Sequence, residues 1–253
     1  MSLLLAIDFE WDQVWRFLWN PLIREGAWRT LQVAVLAQIL GIALGGLFAL
    51  LGMSRNPLTR AFAGFYVWFF RGTPALLQLY ILYFGVPQLF DSPTLTMELT
   101  AFRAAIIAFG VNEGAYMTEI VRSGILSVEA GQLDAAKSLG MTQLQAMRYV
   151  ILPQALRVVV PPTGNEFIAM LKNSSLASAI GLVELLLAAR LIYTSNLDIM
   201  ELLVVAAIWY LAFTTVFSLL QAELERLVAA GERDRPETLF SRTMTIMGGR
   251  RGI

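Results

Sequence analysis

The sequence predicts an all-α integral membrane protein with about five transmembrane helices and a cytoplasmic helical hairpin. Three observations carry this expectation. Apolar residues make up 57% of the 253 residues and charged residues 15%, with a mean hydropathy of +0.63, a balance in which most burial must be in lipid. Long uncharged runs recur, and Leu31–Leu51 alone offers about 21 residues, enough to cross a hydrocarbon core of ~30 Å at ~1.5 Å per residue. Between such runs lies EAGQLDAAKSLGMTQLQAMRYVILPQALRVVVPP, Glu129–Pro162, whose first part reads as a polar helix-turn-helix.

Composition also narrows the chemistry. The formal net charge is zero, so nothing global points to nucleic acid or a polyanionic ligand. The chain has no cysteine and no histidine, which excludes disulfides, thiolate nucleophiles, Ser-His dyads and His- or Cys-ligated zinc. Gly41 to Gly46 lacks the Lys and Ser/Thr of a phosphate-cradling loop, so nucleotide chemistry is expected on another subunit. Met1 to Ala6 is too short and lacks the basic start of a cleaved signal peptide, and the first span is expected to insert uncleaved.

Along the chain, Trp11, Trp15 and Trp19 recur at i, i+4 and i+8 beside Asp8, Glu10, Asp12 and Arg16. This suits a helix at headgroup level, or an aromatic stripe packed on the membrane core. In the first span, Leu31–Leu51, Ala37, Gly41, Gly45 and Ala49 fall four apart and predict close helix approach. Ala61–Phe90 is long for one span and is interrupted by Arg71-Gly72-Thr73-Pro74. A lead-in helix, a kink and a membrane helix from about Pro74, capped by Thr73, are expected there. Arg71 is expected near the interface, where it can snorkel, and Gln78 is expected to hydrogen-bond between helices. Asp91–Leu99 reads as an external loop.

Thr100–Arg122 is the third span, with Gly110 and Gly114 as a second small-residue pair around Asn112 and Glu113. A carboxylate or amide at that depth costs about 3 kcal/mol or more unless it faces protein or water, so the pair is either a site or a buried hydrogen bond between helices. In the hairpin, Ser127 is the expected first N-cap, Gly140 a left-handed C-cap, and Thr142 the second N-cap ahead of Leu144, Met147 and Ile151 at helical spacing. Pro153 is expected to break or kink the helix at that point. A hairpin of this kind offers a surface to a soluble partner, or lies on the membrane.

Leu156–Leu171 is the fourth span, entered through Pro161-Pro162 and carrying Gly164, Asn165 and Glu166, with Lys172 six residues beyond Glu166. Glu166 and Lys172 either face the two poles of a zwitterion or neutralise each other. Ser174, Ser175, Ser178 and Gly181 interrupt the pattern before a short outer helix, Leu182–Leu191. Leu202–Leu220 is the fifth span, and 221–253 a basic tail.

Basic residues set the orientation. Arg55, Arg60, Arg122, Lys137, Arg148, Arg157 and the six tail arginines, Arg226, Arg233, Arg235, Arg242, Arg250 and Arg251, fall on one side. Arg16, Arg24, Arg29, Arg103, Lys172 and Arg190 fall on the other, with Arg71 set aside. The richer side is expected inside, which puts the N-terminus outside and the hairpin and C-terminus in the cytoplasm.

The hairpin resembles the EAA loop of bacterial ABC importer permeases in Glu129, Ala130, Ala135, Ala136, Gly140 and Ile151-Leu152-Pro153. Gly131-Gln132 and Leu152-Pro153-Gln154-Ala155 resemble its polar amino-acid subfamily, which serves substrates of the histidine, glutamine, glutamate, arginine and opine kinds. Arg71-Gly72-Thr73-Pro74, Tyr83-Phe84-Gly85, Ala115-Tyr116, Glu119-Ile120, Arg122, Asn165 and Leu171-Lys172 extend the likeness from about Leu31 to Leu224. The resemblance implies a type I importer permease in the bacterial inner membrane, paired with a second identical or related permease. It also implies two cytoplasmic ATPase subunits that carry ATP and Mg, and an external solute-binding protein. No cofactor is expected on this chain, which would be a transport subunit and not an enzyme.

By the same resemblance, Glu129, Ala130, Ala135, Ala136 and Gly140 couple to the ATPase, and Asn112, Glu166 and Lys172 line the substrate cavity. The expected division is an external interfacial segment 1–30, a permease domain 31–224 that includes the coupling loop 127–153, and a cytoplasmic tail 225–253. A second function class is an ion-coupled secondary transporter or channel using Glu113 and Glu166. It leaves the polar hairpin without a task, and no pair of internal repeats supports it.

Overall fold

The computed structural model describes residues 9–91, 94 and 98–229, and among the described residues there are helices and turns but no strand. The first helix, α1 (Trp11–Leu18), buries Val14 and Leu18 and turns Trp11, Trp15 and Trp19 outward. Each tryptophan is 58% exposed or more, so the aromatic stripe lies on the outer face and the aliphatic stripe makes the packing contact. Both ends of α1 are tied down: the Glu10 N–H donates to the Glu201 carboxylate at 3.1 Å, and Trp209 Nε1–H donates to the Leu18 C=O at 3.1 Å.

Helix α2 (Pro21–Gly52) starts ten residues before the apolar run. The Asn20 side chain caps it by accepting from the Leu22 N–H at 2.9 Å, and Pro21 occupies the first turn, where its missing donor costs nothing. The expected division at residue 30 therefore falls inside a continuous helix, because Ile23, Gly26, Ala27 and Thr30 bury against protein rather than lipid.

Helix α3 (Pro57–Gly72) and helix α4 (Ala75–Leu89) are separated by the expected break, with a π turn inside α4 at Ile81–Gly85. Thr73 does not cap α4. Its hydroxyl donates back to the Phe69 C=O at 2.9 Å and closes α3. Helix α5 (Ala101–Leu126) is capped by Thr100. The hairpin comes next, as α6 (Ala130–Ser138) and the first turns of α7 (Gln143–Ile180). Ser127 belongs to the end of α5, donating to the Gly124 C=O at 2.7 Å, and Glu129 takes the N-cap position of α6.

Pro153 does not break α7. A π turn at Met147–Ile151 shifts the hydrogen-bond register just ahead of it, and Gln154 Nε2–H donates to the Val150 C=O at 2.9 Å. Pro161-Pro162 likewise lies within the helix, where Gln221 Nε2–H supplies the Pro161 C=O at 3.1 Å from a neighbouring helix. Helix α7 ends in a 3₁₀ segment, Ser174–Ile180, and Gly181 turns the chain with φ +81°. Helix α8 (Leu185–Asn196) starts three residues later than expected because Glu184 caps it, and helix α9 (Ile199–Ala229) runs on past the expected fifth span. Five tail arginines, from Arg233 onward, and most of the Asp91–Leu99 loop lie outside the described residues.

By length and apolarity, α2 and Ile199–Val228 of α9 qualify as spans, and α7 with α8, bent by 51°, makes a broken third. Helix α4 is shorter, and α5 is interrupted by Asn112, Glu113 and Glu119. Asn112 and Glu113 are turned toward other helices, with Glu113 3% exposed, and Glu119 pairs with Arg122 on its own helix. Together these are the five membrane segments of the expected architecture.

The α2–α5 contact is the centre of the fold. A methyl group on Gly41 would meet the Glu113 side chain at 2.5 Å, and one on Gly110 would meet Leu40 at 2.7 Å. Gly45 and Gly114 face Met117 and Leu44 in the same way, so each helix presents its glycines to the other's side chains. Gly45→Leu is therefore expected to lower the melting temperature of the detergent-solubilised chain by several degrees. Overpacking commonly costs about 1–3 kcal/mol, and here the obstruction includes the Met117 and Thr118 backbone, which a rotamer change cannot relieve. Unchanged melting of that variant in a thermal fluorescence assay counts against the contact.

A second cluster joins α1, the start of α2, α8 and α9 through Val14, Ile23, Leu185, Leu202 and Val205. Glu184 lies fully buried inside it. Its carboxylate accepts from the Leu186 and Leu187 N–H groups at 2.9 and 2.8 Å, the Tyr210 hydroxyl at 3.0 Å and the Thr30 hydroxyl at 3.4 Å. Helix-end donors and two hydroxyls thus satisfy a carboxylate at a depth where it would otherwise be costly.

Candidate functional site

Midway along α5, the helix break and α7 enclose a cavity of about 440 Å³. Arg71, Gly72, Thr73 and Pro74 come from the break, Asn112, Glu113 and Tyr116 from α5, and Glu166, Met170 and Asn173 from α7. Its wall therefore carries one guanidinium and two carboxylates, with Thr73, Asn112, Tyr116 and Asn173 as further polar groups. Such a set suits a small solute bearing both charges, since each pole finds a partner and little net charge is buried.

The charged groups are not spent on each other. Among the described residues Arg71 forms no ion pair, and its guanidinium lies over the Tyr116 ring at 5.2 Å. Glu113 accepts from Gln38 Nε2–H at 3.2 Å, so its position is fixed from α2. Glu166 is half-buried and receives no hydrogen bond among the described residues. Asn112 donates to the Phe70 C=O at 2.8 Å and to Gln78 Oε1 at 3.1 Å, which makes it and Gln78 the bridge between helices expected of Gln78 alone.

Asn112 and Glu166 thus line the cavity, but Lys172 does not. It is exposed and pairs with no carboxylate among the described residues. The reason is helical phase. Six residues carry Lys172 about 240° around α7 from Glu166, whereas Asn173, seven residues on, returns to the same face. Arg71, expected only to snorkel near the interface, also lines the cavity wall. The signal that points to it is a cation in the middle of Ala61–Phe90, beside a helix break.

The second feature is the hairpin. Gly140 has φ +81°, and the Met141 N–H donates to the Ala136 C=O at 3.1 Å while the Gly140 N–H donates to the Lys137 C=O at 2.9 Å. This is a Schellman closure of α6. Just beyond it, Thr142 and Gln145 exchange side-chain and backbone bonds at 2.8 and 3.3 Å as a capping box that starts α7. Two caps placed back to back make a rigid elbow. Ala136 is buried in it, while Glu129, Ala130, Ala135 and Gly140 face outward. Leu139 and Leu144 stand at the tip, 80% and 79% exposed, an apolar knob on a polar element.

The chain is similar to known proteins. The family model described as "Binding-protein-dependent transport system inner membrane component" matches residues 41–230. The chain is 39% identical over 252 residues to the arginine transport system permease protein of Corynebacterium glutamicum, covering 96% of this chain and 79% of that protein. It is 40% identical over 227 residues to the L-cystine transport system permease protein of Bacillus subtilis, with 89% and 94% covered. The glutamine transport system permease protein of Escherichia coli is 34% identical over 220 residues, with 87% and 98% covered. Among solved structures, the crystal structure of an amino acid ABC transporter with histidines superposes with a TM-score of 0.77 at 38% identity, over 87% of this chain and 99% of that one. An inward-facing MetNI methionine ABC transporter, 20% identical, shares the fold with a TM-score of 0.64 over 82% and 96%.

Proposed function

The chain belongs to the family of binding-protein-dependent transport system inner membrane components, and on that premise we propose that it forms the translocation path of an ATP-driven importer of polar amino acids. It is a multi-pass inner-membrane permease subunit of the kind that works with an ATP-binding subunit and a substrate-binding protein. The observation that carries the substrate class is the cavity itself, where Arg71, Glu113 and Glu166 converge without ion-pairing. In this reading the α-carboxylate meets Arg71, and the ammonium or guanidinium of the substrate meets Glu166. The arginine, cystine and glutamine permeases among its relatives support the same class.

The hairpin is the coupling element. Glu129, Ala130, Ala135, Ala136 and Gly140 form a knob that docks into a groove of the ATPase, with Leu139 and Leu144 as its apolar tip. The N-terminus lies outside and the C-terminus in the cytoplasm, so the tail, from about residue 225, is on the same side as the ATPase. Two permeases, identical or related, and two ATPases complete the machine, with ATP and Mg held by the ATPases. Closure of the ATPases draws the hairpins together and turns the cavity outward, and hydrolysis returns it inward. Lys172, exposed and off the cavity face of α7, has no assigned part in binding.

Extraction of the tagged chain from its native membrane in mild detergent, with mass identification of stoichiometric companions, tests this reading. An ATP-binding subunit is expected to co-purify, and the reconstituted complex is expected to take up a polar amino acid only with ATP. A chain that stays alone and transports without ATP overturns the proposal in favour of a secondary transporter.

A further inference from the structure

The break that brings Arg71 to the cavity is held by a side-chain clamp. Helix α3 ends at Gly72 and α4 starts at Ala75, so the last carbonyls of α3 lose their helical donors and need other partners. Three side chains take over. Gln78 Nε2–H and Asn112 Nδ2–H both donate to the Phe70 C=O, at 2.9 and 2.8 Å, and Thr73 Oγ1–H donates to the Phe69 C=O at 2.9 Å. Gln78 Nε2 also approaches the Thr73 C=O at 3.0 Å and Thr73 Oγ1 at 2.7 Å, and its Oε1 accepts from Asn112.

Position explains why Gln78 can do this. It lies in the first turn of α4, and helical side chains lean toward the N-terminus, so its amide reaches back over the break. It is 7% exposed, and both ends of its amide are engaged. Asn112 reaches the same carbonyl from α5, one residue before Glu113. Both hydrogens of the Asn112 amide are committed, which leaves none to donate to a solute. On the other side, the Tyr116 ring supports the Arg71 guanidinium.

We propose that Gln78 and Asn112 are positioning residues that fix the Phe70–Thr73 elbow so that Arg71 meets the substrate carboxylate, and that Asn112 acts through this clamp rather than as a donor to the solute. The inference rests on the reading of the cavity as an amino-acid site. It separates two tasks within one wall: Arg71 recognises the carboxylate, while Gln78, Asn112 and Thr73 hold the backbone that aims it. Glu166, which meets the substrate amine, is on α7, outside the elbow, so loosening the clamp weakens recognition of the carboxylate pole selectively.

The test is equilibrium binding to the purified complete importer without its solute-binding protein. L-Arginine and L-glutamine are each compared with the same molecule lacking its α-carboxylate, and L-cystine with the diamine lacking both. The expected result is that Gln78→Met, similar in volume but without a donor, weakens amino-acid binding by about tenfold, as expected for one misplaced charge-assisted contact, and the descarboxy amine by less than about twofold. Asn112→Leu is expected to do the same. Thr73→Val, isosteric and the least disruptive to folding, gives the same selective loss at about threefold. A parallel fall for acid and amine, or an unchanged ratio in all three variants, overturns the positioning role. A native protein that binds none of the three amino acids, or binds them no better than the amines, overturns the underlying reading of the cavity, and the clamp proposal with it.

Discussion

Gly140→Val is expected to abolish uptake while leaving the chain in the membrane. The residue sits at φ +81°, and nothing lies within 4 Å of where a β-carbon would be, so the obstacle is backbone conformation and not space. A β-branched residue in the left-handed region carries a penalty of about 1–3 kcal/mol. Helix α6 has only 9 residues and depends on the Schellman closure that this φ permits, so the penalty is enough to melt its last turn. The result is a hairpin whose two caps no longer meet at a fixed angle. Asparagine tolerates the left-handed region, so Gly140→Asn is expected to keep most of the uptake. ATP-dependent uptake in vesicles, with the amount of membrane-inserted chain measured in parallel, decides the matter. Normal uptake by Gly140→Val sinks the coupling role, and equal loss in the valine and asparagine variants shows that side-chain bulk, not backbone strain, is what the elbow rejects.

Sequence pattern reaches some of these features because their causes are local. The glycine at the end of a short alanine-rich helix, and Thr142 before Gln145, define the elbow within a few residues of chain. The small-residue stripe of α2 and the Gly110–Gly114 pair of α5 have a use only if the two helices touch, and they do. Other features depend on partners far away in sequence. Helix α2 begins at Pro21 because Gly26 and Thr30 meet α8 and the Glu184 cap, more than 150 residues on. The Pro161-Pro162 pair lies inside α7, and Gln221 reaches the Pro161 carbonyl from α9. Arg71 reads from sequence only as a snorkelling cation, and its place in the cavity wall emerges once Gln78 and Asn112 are seen to hold the break against α5. The charge of Lys172 in an apolar context points to the cavity, and helical phase turns it away.

Glu166→Gln is expected to reduce substrate transport by at least about tenfold, and to reduce it more than the basal ATPase of the assembled complex. Glu113, Glu166 and Glu184 are three of the buried or half-buried carboxylates in the described membrane helices or their caps, and they differ in what they would lose. Glu184 accepts four hydrogen bonds and Glu113 accepts one from Gln38. Glu166 accepts none among the described residues, yet lines the same cavity as Arg71. Neutralising Glu184 therefore acts first on folding. Neutralising Glu166 removes no internal bond, and glutamine keeps its volume, so the loss falls on whatever enters the cavity. The substrate amine would exchange a charged partner for a neutral one, and hydrogen bonds to charged groups are commonly worth about 1.5–3 kcal/mol. Measuring transport and ATP hydrolysis on the same reconstituted preparation separates the outcomes. If both fall together, Glu166 supports the assembly instead of the solute, and the cavity's cation-binding pole must lie at Glu113.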